Sequence, residues 1–208
     1  DVYKRQVFAQ ARTAALLRSS SSTDLSYTVK INNVETAAFT LSSAGVTDAV
    51  TKINAITAST GVMAAATTDG KVLLSDADGD DITIENTSTQ TTLFVAAVEN
   101  DGVTTALAGG EDNLLASGGT DLTTIAGTIR LTSTAGFTVT QATAVGAGAS
   151  FFTDGEVAAT LSSVSSIAVT TTIGASDALA VIDGALDTVS AMRGSLGTLQ
   201  NRLDYAVS

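Results

Sequence analysis

The segment Ser176–Ser208 (SDALAVIDGALDTVSAMRGSLGTLQNRLDYAVS) constrains this chain more than any other. Leu179, Ile182, Leu186, Val189, Met192, Leu196, Leu199 and Leu203 recur at steps of three and four. At about 3.6 residues per turn, that spacing sets all eight on one face of a single long helix. Water disfavours such a stripe left bare, and no other segment is periodic for long enough to cover it. The helix is therefore expected to need partners, either other copies of the chain or parts of a longer protein.

Local chemistry supports a helix start at Ser176, whose hydroxyl can accept from the first backbone donors, with Asp177 favoured by the macrodipole. Gly184, Gly194 and Gly197 each cost about 1 kcal/mol in a helix interior. They make sense where neighbouring helices approach closely. At about 1.5 Å per residue the helix is expected to run about 45–50 Å.

Composition narrows the function classes. The chain has 208 residues, 44% hydrophobic but only 4% aromatic, so a core must be built from Val, Ile, Leu and Ala. A net charge of −11 repels phosphates, which disfavours nucleic acid and anionic membrane surfaces as partners. Cysteine and histidine are absent, removing disulfides, thiolate metal sites, imidazole bases and every Ser/His or Cys/His nucleophile arrangement. No enzymatic activity and no cofactor are expected. No apolar run approaches the roughly 18 residues of a spanning helix, and DVYKRQVFAQAR lacks the apolar stretch of a signal peptide. The chain begins with Asp and stops within a periodic helix without a C-terminal glycine cap. It is expected to be a fragment of a longer protein, with residues 1–6 a candidate cloning or sequencing remnant.

Upstream, Val7–Arg18 carries Val7, Phe8, Ala11, Ala15 and Leu16 at helix-compatible spacing and is expected to form a loosely docked helix. Ser19–Ser22 reads as a linker. From Leu25 the period becomes two: Tyr27, Val29 and Ile31 alternate with polar residues as in a half-buried strand. Asn32-Asn33 is a turn candidate, and a second strand is expected over Ala37–Leu41. Val46, Val50, Ile53 and Ile56 set a helix over Val46–Ala58, capped by Ser43 or Thr47 and ended by Gly61. Val62–Thr67 and Lys71–Leu74 read as a hairpin across Asp69-Gly70. Asp76–Asp81 reads as a second turn before an alternating strand, Asp81–Glu85. Residues 25–86 thus suggest a ββαβββ unit, a small antiparallel sheet covered by one helix. Thr87–Thr124 is less regular. Strand chemistry resumes over Ile125–Val139, Ala144–Ala149 is small and flexible, and Leu161–Ile173 is expected to be extended. The fold class is α+β: an uncertain segment 1–24, the unit 25–86, a variable β-rich region 87–172, and a rod helix 173–208.

Specific identities add to this pattern. Ile182-Asp183, Ala185-Leu186 and Val189, followed by Arg193, Leu196-Gly197 and Gln200-Asn201-Arg202, resemble the C-terminal core helix of bacterial flagellin. Thr198 stands where that family usually has Ala. The lead-in VSSIAVTTTIGASDAL is also similar, and the likeness covers about 45 residues. A second likeness lies in VKINNVETAAFTL and AVTKINAITASTGVMAAATTDGKVLLSDADGDDITI, which resemble the family's outer "IN" module. Its markers fall at Ile31-Asn32, Ile53-Asn54 and Gly61-Val62. The family's N-terminal core helices and the segment beyond Ser208 are not in this sequence.

The resemblance implies a secreted, extracellular structural subunit of the bacterial flagellar filament, serving motility and exported without a cleaved signal. Its implied partners are other flagellin subunits, the flagellar export apparatus and an innate immune receptor. Coiled-coil-like self-assembly would use Leu179, Ile182, Leu186, Val189, Met192, Arg193, Leu196, Leu199, Gln200, Asn201, Arg202 and Leu203. By composition alone Arg193 and Arg202 are solvated charges at the helix edge; the family motif makes them candidates for contacts between helices. Two alternatives remain: a hook–filament junction protein, which shares flagellin-like terminal helices, and an extracellular adhesin or calcium-binding module.

The calcium alternative draws on Asp76, Asp78, Asp80 and Asp81, because hard cations favour clustered carboxylates. The EF-hand pattern fails, since Thr87 stands where a bidentate Glu is needed. A solvated hairpin turn is the simpler reading. Gly109-Gly110, Gly118-Gly119 and Gly146–Gly148 lack the Lys-Ser/Thr of a phosphate loop. Glu111-Asp112 lies in a polar loop without the apolar pocket that would separate two carboxyl pKa values.

Overall fold

The structure is a computed structural model, and it describes residues 7–98, 107, 110–116, 118, 121–133, 136–140, 156–167, 169 and 172–207. It is mixed α and β, with antiparallel strands and one long C-terminal helix. Contacts divide the chain into a unit over Ala9–Arg130 and a second containing Leu131–Ser208.

The first unit is built around β1 (Phe8–Ser19), which lies between β7 (Val72–Asp76) and β9 (Leu93–Ala97) and pairs antiparallel with both. β6 (Met63–Ala66) extends this sheet beyond β7, and β10 (Asp112–Leu114) extends it beyond β9. β12 (Thr128–Thr132) also pairs with β1. A smaller sheet runs β11 (Leu122–Ile125), β8 (Ile82–Asn86), β3 (Val29–Ile31), β4 (Val34–Glu35). β2 (Leu25–Tyr27) and β5 (Phe39–Leu41) form a two-stranded ribbon.

One apolar cluster joins these layers. Ala15, Leu17, Val72, Leu74, Leu93 and Val95 come from the large sheet, and Val29, Ile31, Ile82 and Ile84 from the small one. Two short helices, α1 (Thr47–Asn54) and α2 (Thr57–Thr60), add Ala49 and Ile53 from α1. Tyr27 and Phe39 stack with ring centroids 6.2 Å apart, and the Tyr27 hydroxyl meets Ser19 Oγ at 2.7 Å and Thr92 Oγ1 at 2.6 Å. The aromatic-poor composition therefore concentrates two of its few rings in the core, with their polar handle satisfied.

Several expectations need correction. Val7–Arg18 is no docked helix; Phe8–Ser19 is the central strand β1. Its inner face carries Ala15 and Leu17, and Ala14 and Leu16 on the opposite face are buried too. Burial on both faces removes the alternation by which a strand is recognised. The unit over 25–86 is not one sheet under one helix: its strands distribute over three sheets, completed by β1 before it and β9 to β12 after it. The stretch Thr87–Thr124, less regular in sequence but within the region 87–172 expected to be β-rich, supplies β9, β10 and most of β11. Asp76–Asp81 joins no hairpin, because β7 and β8 belong to different sheets. Asp76 is buried, and its Oδ1 accepts from Asp78 N at 2.9 Å and Gly79 N at 3.1 Å, so the carboxylate folds the turn from inside.

The remaining elements follow their sequence signals. Asn32 and Asn33 take positive φ, 48° and 67°, in the turn between β3 and β4. The Asp69-Gly70 hairpin joins β6 to β7, with Gly70 at φ 74°. The cap of α1 departs from expectation: Val46 occupies the N-cap and makes no side-chain cap bond, so neither Ser43 nor Thr47 serves.

In the second unit, β13 (Thr138–Thr140) pairs with β14 (Glu156–Ala158). The stretch expected to be extended contains a 3-10 turn, Val164–Ser166, which packs on the start of α3 (Thr172–Val207). This helix begins four residues before Ser176, which is therefore an interior position rather than the cap. It has 36 residues and spans about 54 Å at the usual rise. Residues 144–149 lie outside the described residues.

Candidate functional site: an exposed helix stripe and two asparagine ties

The α3 face foreseen from spacing is present and open. Leu179, Ile182, Leu186, Val189, Met192, Leu196, Leu199 and Leu203 are all exposed, from 38% for Ile182 to 65% for Leu179. Arg193, Gln200, Asn201 and Arg202 are exposed beside them. Ala178 is buried near the helix start, whereas the stripe beyond it stays open to solvent. Cβ atoms added at Gly194 and Gly197 would meet nothing within 4 Å among the described residues. Those glycines thus keep the helix surface low at two points on an open rod. Apolar side chains at this density on one face are a ready interface, because hiding them releases about 25 cal/mol per Å².

The markers from the 25–86 region behave differently. Ile31, Ile53 and Val62 are fully buried core residues. The two asparagines are ties between elements. Asn54, last residue of α1, donates from Nδ2 to Ala64 O at 2.9 Å and accepts at Oδ1 from Ala64 N at 2.7 Å. A side-chain amide here takes the place of a neighbouring strand along the outer edge of β6. Asn32 donates from Nδ2 to Thr60 O at 3.1 Å and accepts at Oδ1 from Thr83 N at 2.9 Å, so it joins the β3–β4 turn to β8 and to the end of α2. Gly61 follows Thr60 at φ 75°, and a Cβ there would lie 2.7 Å from Asp76 Oδ2. Only glycine meets both demands at little cost.

Two polar centres escaped the sequence reading. Asn86 is fully buried; its Nδ2 donates to Gln90 O at 2.8 Å, Leu114 O at 3.1 Å and Leu115 O at 3.0 Å, while its Oδ1 accepts from Ser88 N and Oγ. The one available signal was Asn86-Thr-Ser after an alternating strand, which fits a side-chain-closed turn. The second is Glu111, which grips the Arg18 guanidinium through both oxygens, with Nε to Oε1 at 2.7 Å. The guanidinium also lies 4.4 Å from the Phe94 ring centroid. Hydrogen bonding to Arg18 holds the Glu111 carboxyl below its usual value. Asp112, its sequence neighbour, accepts instead from Thr123 Oγ1 at 2.6 Å. The two carboxylates therefore divide between different partners and do not act as a pair.

Among the described residues no three carboxylates converge to hold a metal, and no helix is long and apolar enough to cross a membrane. In the acidic turn, Asp76 serves its own backbone and Asp81 Oδ1 accepts from Gly127 N at 3.0 Å. The chain matches no protein-family model and no curated protein.

Proposed function

We propose that this chain is a structural subunit of the flagellin type, in which α3 is a rod helix and the Ala9–Arg130 unit belongs to the outer region. It acts by assembly rather than catalysis, outside the cell, as part of a motility filament. The observation that carries the reading is the open stripe on a 36-residue helix, on the segment whose Arg193, Gln200, Asn201 and Arg202 resemble the flagellin motif. Burying one such Leu or Ile stabilises assembly by about 1.5–3 kcal/mol before ordering costs. Partner helices of the same rod would cover the stripe.

Assembly is the test. An open reading frame that carries this chain, expressed in a flagellin-deletion bacterium, should restore filaments visible by electron microscopy. Leu196→Asp or Leu203→Asp should abolish them. Filaments built from either Asp variant would remove the stripe from the mechanism, and no filament from the parent sequence would overturn the reading. The calcium-module alternative makes the opposite prediction, tight calcium binding near Asp76–Asp81 by calorimetric titration. The internal use of Asp76 and Asp81 weighs against it.

A further inference from the structure

We infer that the acidic turn Asp76–Asp81 is a strap that locks β1 to β12, the two strands through which the chain enters and leaves the Ala9–Arg130 unit. The inference stands apart from the filament reading and needs no assembly.

Topology brings both connections to one place. The chain passes between the two units after Phe8 and again after Arg130. Both crossings fall within strands that pair with each other, β1 and β12. From Thr13 onward β1 is occupied on one edge by β7, and from Ala14 onward on the other by Val98 and β9. Thr128, the first residue of β12, donates from Oγ1 to Arg12 O at 3.1 Å. β12 can therefore pair only with the stretch before Thr13, and it must run back along that stretch, opposite in direction to β1. Such a ribbon opens from its end one rung at a time, because each ladder bond is weak on its own.

The turn closes that path. Thr13 Oγ1 donates to Asp80 O at 2.6 Å, and Gly127 N donates to Asp81 Oδ1 at 3.0 Å. With the bond from Thr128 to Arg12, three contacts within a few residues tie together the turn, β1 and the start of β12. Thr13 is buried, so opening would strand a hydroxyl that has little access to water.

Close backbone contact completes the strap. A Cβ at Gly79 would lie 2.5 Å from Ala11 Cβ and 3.0 Å from Arg12 N, so the turn rests directly on β1. A Cβ at Gly127 would overlap Gly79 O and lie 3.1 Å from Thr13 Oγ1. Two glycines at one crossing let three backbones stack where any side chain would wedge them apart. Asp76 Oδ1, accepting from Asp78 N and Gly79 N, holds the turn in this shape from inside. The carboxylates that suggest a cation site are thus used to fold and fasten the strap. Opening that starts in either connection stops at Arg12 and Thr128, and the core behind stays shut.

Hydrogen exchange of the full chain is the test. Asp81→Ala removes the acceptor for Gly127 N and should raise exchange over residues 9–13 and 128–130 about tenfold or more. Amides of β3 and β9 should keep their parent rates. Asp81→Asn retains an oxygen acceptor and should recover most of the protection. Gly127→Ala should act at least as strongly as Asp81→Ala; if that variant does not fold, the two Asp81 variants decide. Unchanged ribbon exchange in Asp81→Ala would overturn the inference, as would a rise spread evenly over the core. Asp81→Asn exchanging as fast as Asp81→Ala would also overturn it. Because the chain has no cysteine, Val7→Cys and Thr132→Cys can carry handles for optical tweezers. Asp81→Ala should lower the force at which the unit gives way, and equal forces with and without that acceptor would remove the strap.

Discussion

At the residue scale, the side chains singled out between residues 25 and 86 are architectural. Asn54→Ala would strip Ala64 of both backbone partners while leaving them largely buried. We expect a loss of about 1–3 kcal/mol in urea unfolding, together with concentration-dependent association through the freed β6 edge. Gly61→Ala forces a side chain into a positive-φ position against Asp76; about 1–3 kcal/mol should be lost, read as a lower denaturation midpoint. Glu111 supplies a pH dependence whose sign follows from its lowered pKa. Its contribution is present above the unfolded value of about 4.3 and disappears as pH falls through the lower folded value. Glu111→Gln should flatten the stability–pH curve in that acid window by lowering stability slightly above it and leaving the acid end unchanged; the loss is small because the pair is partly exposed.

At the element scale, strands and helices were legible where one face is wet. β3 and β8 alternate because solvent on one side imprints period two, and Asn32-Asn33 marks the turn after β3; β7 is buried on both faces and was legible through the Asp69-Gly70 turn before it. β1 was misread because both its faces are buried, so AALL looks the same for a strand and for a helix. β9 to β11 were not delimited within the β-rich stretch because their pairing is long-range. The contrast gives a prediction. Leu17→Ala in β1 should cost about 2–5 kcal/mol, whereas Leu186→Ala on the α3 stripe should shift unfolding of the Ala9–Arg130 unit by less than about 0.5 kcal/mol. Equal losses in chemical denaturation would contradict the assignment of core and open face.

At the scale of the whole molecule, the Ala9–Arg130 unit depends on a strand that the sequence places before its recognisable module. A chain starting at Leu25 should lose cooperative unfolding and amide protection in β7 and β9, since both pair with β1. Native-like exchange protection in that truncation would refute the central role of β1. The sequence by itself determined the period of α3, the turns at Asn32 and Gly70, the alternating strands, and the absence of imidazole and thiol chemistry. Each of these is a local property, fixed by backbone preference or by side-chain inventory within a few residues. Only the tertiary structure decided that residues 8–19 form the middle of a sheet, that Asp76 and Asn86 turn inward, and that Asn54 closes the edge of β6. Those outcomes depend on which distant backbone groups come to lie alongside, and a fully buried segment carries no periodic mark of the neighbours that bury it.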